Sequence, residues 1–323
     1  VIAVVGAGRM GEGIALAFLA AGRPVLLADV KDRTEEERQL RRDEIRKRLA
    51  DRLRAMSGHA DALESLTMGD RSAKELADAT VVFEAVPEVM DVKREVFGWL
   101  GSQVPESAVL ASTTSTFLVT QIAELAGRPE RVVNAHWLNP AELMPLVEVS
   151  RSDATDPAAV DRLVELLREI GKVPVVCGPA AGYIVPRLQA LLMNEAARMV
   201  EEGVAGAAEI DLAVRAGLGP RFSVLGPLEF IDWGGGDILY YASRYLTGEL
   251  GERFQAPAVV EENMTGQRRG LQDGAGFYRF DSAGVPDYRA ARMREFEEIF
   301  RLREPHLRDG TPVPVRPEDD SAE

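Results

Sequence analysis

One cysteine, Cys177, stands in 323 residues, so no disulfide can form within the chain. It closes an apolar run, Val173–Cys177, and reads as a small core residue rather than a reactive thiol. Long hydrophobic runs are missing too: none approaches the roughly 18 residues that span a bilayer. Positive charge is scarce, with 38 Lys and Arg against 52 Asp and Glu and a net charge of −14. That balance argues against nucleic acid as a partner, and it obliges any anionic substrate to be held by local donors. There is no internal repeat, low-complexity segment or zinc-type spacing, so no metal is expected. An apolar run beginning at Val1 leaves no room for a signal peptide in this sequence, and a cytoplasmic chain is expected.

What is present begins at the first residue. Val1–Val5 reads as a buried parallel strand and runs directly into Gly6-Ala-Gly8-Arg9-Met10-Gly11. In this G-x-G-x-x-G turn Gly6 allows the tight bend, Gly8 lets a pyrophosphate approach the backbone, and Gly11 lets a helix pack closely. Arg9 and Met10 lie inside the turn as further candidate cofactor contacts. The next helix, Glu12–Ala21, would point its free N–H groups and positive dipole end at the phosphates. A second apolar strand, Val25–Ala28, ends in Asp29, 18 residues past Gly11. A carboxylate there accepts from the adenosine ribose hydroxyls and repels a 2′-phosphate, which favours NAD over NADP. Lys31 and Arg33 soften that exclusion without reversing it.

The rest of the first half alternates strand and helix. Strands are expected at 81–86, 108–112, 131–136, 145–150 and 173–177, and helices at 35–56, 91–100, 117–125 and 157–170. This pattern predicts an α/β domain over residues 1–178, a Rossmann-type doubly wound sheet with helices on both faces. The charge-laden stretch 35–56 reads as a solvated arm projecting from that domain. From about Gly178 the pattern turns all-helical, beginning with apolar positions at helical spacing over Arg187–Glu202 and Pro186 in its first turn. Residues 179–303 are therefore expected to form a helical substrate and dimerisation domain, and 304–323 a flexible acidic tail. The glycine-rich Asp232–Asp237 stretch is either a close-packed helix junction or a loop kept small to admit substrate.

Open α/β sheets bind ligands at the C-terminal ends of their strands, and three stretches fall there. In Ser112-Thr-Thr-Ser115-Thr116 the hydroxyls are open to two uses: Ser115 or Thr116 capping the helix that follows, and ligand contact. His136 ends an apolar strand, and Glu148 stands between valines in another. Burying that carboxylate unpaired would cost several kcal/mol, so it needs a partner. A Glu–His pair fixes the imidazole's tautomer and stabilises its charged form, which suits a base acting on an alcohol as hydride leaves. An edge-strand Glu148 in water, or paired with an arginine, is the alternative.

These residues together resemble the NAD-dependent L-3-hydroxyacyl-CoA dehydrogenases. The likeness is carried by Gly6–Gly11, Asp29, Val82–Glu88, Ser112–Ser115, His136–Pro140, Met144–Val149 and Gly226–Asp232, and closes with Gly274–Tyr278. It implies a Rossmann-type domain, a helical C-terminal domain and a homodimer through the latter. The family's catalytic pair falls on His136 and Glu148, its substrate-contacting Ser on Ser115 and the Asn of its H-x-x-N-P motif on Asn139. Glu88 and Lys93 match the positions lining the nicotinamide-ribose end of the cofactor. The implied reaction is reversible oxidation of a 3-hydroxyacyl-CoA. A dehydrogenase of a free β-hydroxy acid, like the gulonate- or carnitine-oxidising relatives, and a non-catalytic NAD-binding protein are the alternatives. Two departures bear on the substrate: Pro186 stands where the family has Asn, and Trp137 brings aromatic bulk that should reshape the pocket beside His136.

Overall fold

The computed structural model describes residues 1–57 and 60–308. Two compact units emerge, one covering Val1–Asn194 and the other beginning at Glu195.

The first unit is built on one eight-stranded sheet. Its strands are β1 (Ile2–Val5), β2 (Val25–Ala28), β3 (Leu66–Gly69), β4 (Val81–Glu84), β5 (Val109–Ser112), β6 (Val132–Trp137), β7 (Leu146–Ser150) and β8 (Val173–Cys177). They lie in the order β3-β2-β1-β4-β5-β6-β7-β8. All neighbours run parallel except β6 and β7, which are antiparallel. Strands covered on both faces read as apolar runs, which is why β1, β2, β4 and β5 were legible. The edge strand β3, Leu-Thr-Met-Gly, has no such run. It forms because Leu66 finds Val25 beside it in register.

Side-chain alternation along the strands divides the core in two. Val4, Leu27, Phe83, Val133 and Val147 face helices α1 (Arg9–Ala20), α2 (Glu35–Ser57) and α5 (Pro157–Glu169). Ala3, Val5, Leu26, Val82 and Leu110 face α3 (Met90–Gln103) and α4 (Val119–Leu125). Helix α2 is not a projecting arm. Ile45, Leu49 and Leu53 recur every four residues and are fully buried in the first of these cores. Arg48 reaches Glu12 at 2.6 Å, and Arg52 pairs with Glu142. Three apolar side chains at one-turn spacing suffice to dock a helix whose other faces are charged.

The helical part comprises α6 (Val185–Glu201), within which the two units divide, then α7 (Ala207–Ala213), α8 (Gly219–Phe222), α9 (Pro227–Gly234), α10 (Gly236–Leu250), α11 (Ala258–Thr265) and α12 (Val285–Arg308). The glycine-rich 232–237 stretch is a packed junction: Gly235, at φ 106°, turns α9 into α10, and Asp232 accepts the amides of Phe277 and Tyr278 at 3.0 and 2.8 Å. Helix α12 continues through 304–308, and the remainder of the expected tail, 309–323, lies outside the described residues. No helix among the described residues is long and apolar enough to cross a membrane.

Candidate functional site

The sheet order reverses between β1 and β4, and a cleft of about 580 Å³ opens there. It is lined by Gly6–Met10, Asp29–Arg33 and Ala85–Pro87, with Arg41 and Arg71 at its rim. This is the switch point where doubly wound sheets take ligands. Gly6 adopts φ 113°, and a Cβ there would meet the Ala85 carbonyl at 2.5 Å. A Cβ on Gly11 would lie 1.9 Å from the Gly6 carbonyl, whereas Gly8 faces open space. Both of the first two positions require glycine, and the third leaves room for a ligand to come against the backbone. Helix α1 starts at Arg9, three residues earlier than its apolar pattern suggests, so Arg9, Met10 and Gly11 form its first turn. Asp29 accepts from Arg33 Nε at 3.0 Å and from the Lys31 amide at 3.2 Å, which leaves carboxylate lone pairs for ribose hydroxyls. The cleft, the bare Gly8 backbone and the helix N-terminus fit a dinucleotide.

Beyond the cleft lies a relay of charges. Lys93, matched above to a cofactor contact, is fully buried: its Nζ sits 3.0 Å from both oxygens of Glu84 and 3.3 Å from Glu88 Oε2. Enclosed in this way, the ammonium makes its contacts with these two carboxylates. Glu84 is completed by the Ser112 hydroxyl at 2.6 Å and the Val86 amide at 2.9 Å. Burial pushes the Glu88 carboxyl up, but the Thr114 hydroxyl and Lys93 outweigh it and hold it below the usual carboxylate range. Glu88 Oε1 also accepts the amides of Ser115 and Thr116 at 3.1 and 3.0 Å.

Those contacts settle the hydroxyl cluster. Neither Ser115 nor Thr116 caps the chain. The N-cap of α4 is Leu118, whose amide is accepted by the Gln121 side chain at 3.0 Å, and Thr114 Oγ1 accepts the Phe117 amide at 2.9 Å in the turn before it. Ser115 is exposed, and its hydroxyl has no protein partner among the described residues.

His136 and Glu148 lie directly opposite one another on β6 and β7. His136 Nδ1 is 2.8 Å from Glu148 Oε2, with the carboxylate fully buried and the imidazole 5% exposed. Glu148 Oε1 accepts the amides of Ile184 and Val185, each at 2.8 Å, at the start of α6. Pro186 follows in that first turn, where a missing N–H costs nothing. Asn139 lies three residues past His136, exposed, next to a cis Asn139–Pro140 bond, with no side-chain partner among the described residues. Trp137 does not shape this site. Successive strand residues point to opposite faces, so Trp137 packs against Phe18 and Phe83 in the other core.

Two functional neighbours escaped the sequence reading. Glu84 carried the same signal as Glu148, a carboxylate closing a buried strand, with a lysine nine residues on. Tyr183 stacks on His136, ring centroids 4.9 Å apart and 5° from parallel, and nothing local in the sequence announces that. Among the described residues no cluster of His, Cys, Asp and Glu could hold a metal ion.

Comparison with known proteins covers both parts of the chain. A family model described as 3-hydroxyacyl-CoA dehydrogenase, NAD binding domain, matches residues 1–180, and the model of that family's C-terminal domain matches 182–280. The fatty acid oxidation complex subunit alpha of Shewanella amazonensis is 35% identical over 281 residues, 87% of this chain. The chain spans only 39% of that relative's length. The 5-formyl-3-hydroxy-2-methylpyridine 4-carboxylate 5-dehydrogenase of Mesorhizobium japonicum is 29% identical over 94% of this chain and 98% of its own. A solved 3-hydroxyacyl-CoA dehydrogenase from Archaeoglobus fulgidus superposes with a TM-score of 0.75 at 32% identity, covering 93% of this chain and 98% of that one.

Proposed function

The chain belongs to the 3-hydroxyacyl-CoA dehydrogenase family, NAD-dependent oxidoreductases, and from that premise we propose that it interconverts a 3-hydroxyacyl-CoA and the corresponding 3-oxoacyl-CoA. The observation that carries the proposal is the buried His136–Glu148 hydrogen bond. With Nδ1 committed to Glu148, His136 presents Nε2 to substrate. In the oxidative direction His136 takes the hydroxyl proton, and Glu148 holds the ring and balances the charge it gains. Two amides at the start of α6 keep that carboxylate in place. Ser115 and Asn139, whose side chains have no protein partner among the described residues, polarise the substrate oxygen. NAD, held by Gly6–Gly11, Asp29 and Glu88, supplies the hydride acceptor when bound.

Pro186 supports a second reading, a free acid as substrate. It offers no amide at the position where the family has Asn, and the Mesorhizobium relative, matched over nearly its whole length, is named for a pyridine carboxylate. Assaying a 3-hydroxyacyl-CoA series beside free 3-hydroxy acids with NAD separates the two. We expect the thioesters to turn over at least about tenfold faster, by analogy with the worth of a set of lost contacts. Turnover of free acids alone would select the second reading, and tight NADH binding with no turnover would make the protein a non-catalytic binder.

We also propose that the chain acts as a homodimer through its helical unit. On α10, Ile238, Tyr241 and Tyr245 form one stripe at helical spacing, and they are 64%, 58% and 68% exposed. Leu188, Leu191 and Leu192 make a similar stripe on the part of α6 that precedes the division between the units. A second copy of the chain is the occupant these stripes fit. The cytoplasmic placement read from the sequence stays part of this proposal.

A further inference from the structure

We propose that Tyr183 is a positioning residue for the reaction above, with two separable tasks: its ring orients His136, and its hydroxyl holds the turn that carries Ser115. The inference rests on the catalytic reading of His136 and Ser115.

Three consecutive residues grip the pair. Tyr183 stands in the left-handed region at φ 45°, an unusual conformation for a non-glycine side chain, directly after Gly182 at φ 75°. That bend lays the Tyr183 ring parallel to the imidazole of His136 and leaves the next two amides on Glu148. The stack fixes the plane of the imidazole, as the Glu148 hydrogen bond fixes its direction. Of the other titratable groups around this pocket, Glu148 on β7 contacts His136 directly, and Glu88 and Cys177 act on Tyr183 at longer range.

The far end of the same side chain works on the Ser115 turn. The Tyr183 hydroxyl donates to the Thr114 carbonyl at 2.7 Å and accepts from Asn134 Nδ2 at 3.0 Å. Asn134 in turn donates to the Phe117 carbonyl at 2.9 Å. Tyr183 and Asn134 thus hold the carbonyls on both sides of Ser115, while Glu88 holds the amides of the same turn. Burial pushes the Tyr183 phenol far above its ordinary value, so it stays a donor at every working pH. One side chain therefore sets the spacing between the proposed base and the proposed oxygen contact.

The test uses Tyr183→Phe and Tyr183→Leu with two readouts. The first is the downfield NMR resonance of the His136 Nδ1 proton held by Glu148, which needs no substrate and is assigned by His136→Gln against the two other histidines, His59 and His306. We expect that resonance to persist in Tyr183→Phe and to be lost to exchange in Tyr183→Leu. The second readout is steady-state kinetics on the best substrate of the parent enzyme. Tyr183→Phe should raise KM by up to about tenfold with kcat nearly preserved, and Tyr183→Leu should also lower kcat several-fold. Should Tyr183→Leu not fold, Tyr183→Met keeps an apolar side chain of similar reach without a ring, and the same loss of the resonance is expected. An unchanged Nδ1 proton resonance in every variant would overturn the first task, and an unchanged KM in Tyr183→Phe the second. A parent enzyme inactive on all thioesters and hydroxy acids would remove the proposed function instead, and the resonance would still decide whether Tyr183 positions His136.

Discussion

The two units of this chain treat apolar surface in opposite ways. In the first, every central strand is covered on both faces and the largest buried side chains, Phe18, Phe83 and Phe97 among them, are closed from solvent. Beyond Asn194 the buried apolar residues among those described are Ile210, Leu225, Val260 and Leu271, while leucines, tyrosines and phenylalanines stand exposed along the helices. A sheet domain completes its core within one chain. The helices beyond it leave much of their apolar surface open to solvent in the single chain. The buried, paired side chains of His136, Glu148, Glu84 and Lys93 all belong to the first unit.

That contrast can be broken or sharpened by substitution. The largest effect is expected at the site itself. His136→Gln should lower turnover by about 10³-fold, within the range of a lost general base, with NADH affinity unchanged in a fluorescence titration. Retention of most of the rate would take His136 out of the mechanism. Next comes Lys93→Met, which leaves the Glu84 carboxylate buried without its cation. It should cost about 3–5 kcal/mol in urea unfolding. A neutral result would mean that Ser112 and the Val86 amide alone suffice for Glu84. Leu49→Ala, in the stripe that docks α2, should cost about 2–4 kcal/mol through the cavity it opens. Were α2 a free arm, the same change would be silent. The smallest effect on the protomer should come from Tyr241→Ser combined with Tyr245→Ser, within about 0.5 kcal/mol for exposed positions. In light scattering the pair should nonetheless halve the particle mass, and the parent's melting temperature should rise with protein concentration where the variant's does not. A parent that runs as a monomer would overturn the dimer.

Much of this was legible because the signals were local. The glycine turn demands its residues by backbone geometry, and a carboxylate inside an apolar strand announces a partner wherever it occurs. For Glu148 the residue directly across the ladder is His136, and for Glu84, which ends a buried strand in the same way, the partner is Lys93, nine residues on. The hydroxyl cluster precedes α4 without capping it, and Thr114 is tied instead to Glu88, 26 residues away, a contact that no local pattern announces. Helix α2 was misjudged because charge outnumbers its three buried side chains, although those three decide where it lies.

Local chemistry along the chain therefore determined the doubly wound domain, the dinucleotide turn with its acid, and the residue types of the site. Which strand faces meet which core, and so whether Trp137 or His136 enters the site, was decided by the folded sheet, since a period of two sends neighbours apart. The enclosure of Lys93 and the stacking of Tyr183 were decided there as well. Both join residues from separate elements, and such contacts exist only once packing has fixed where each element lies.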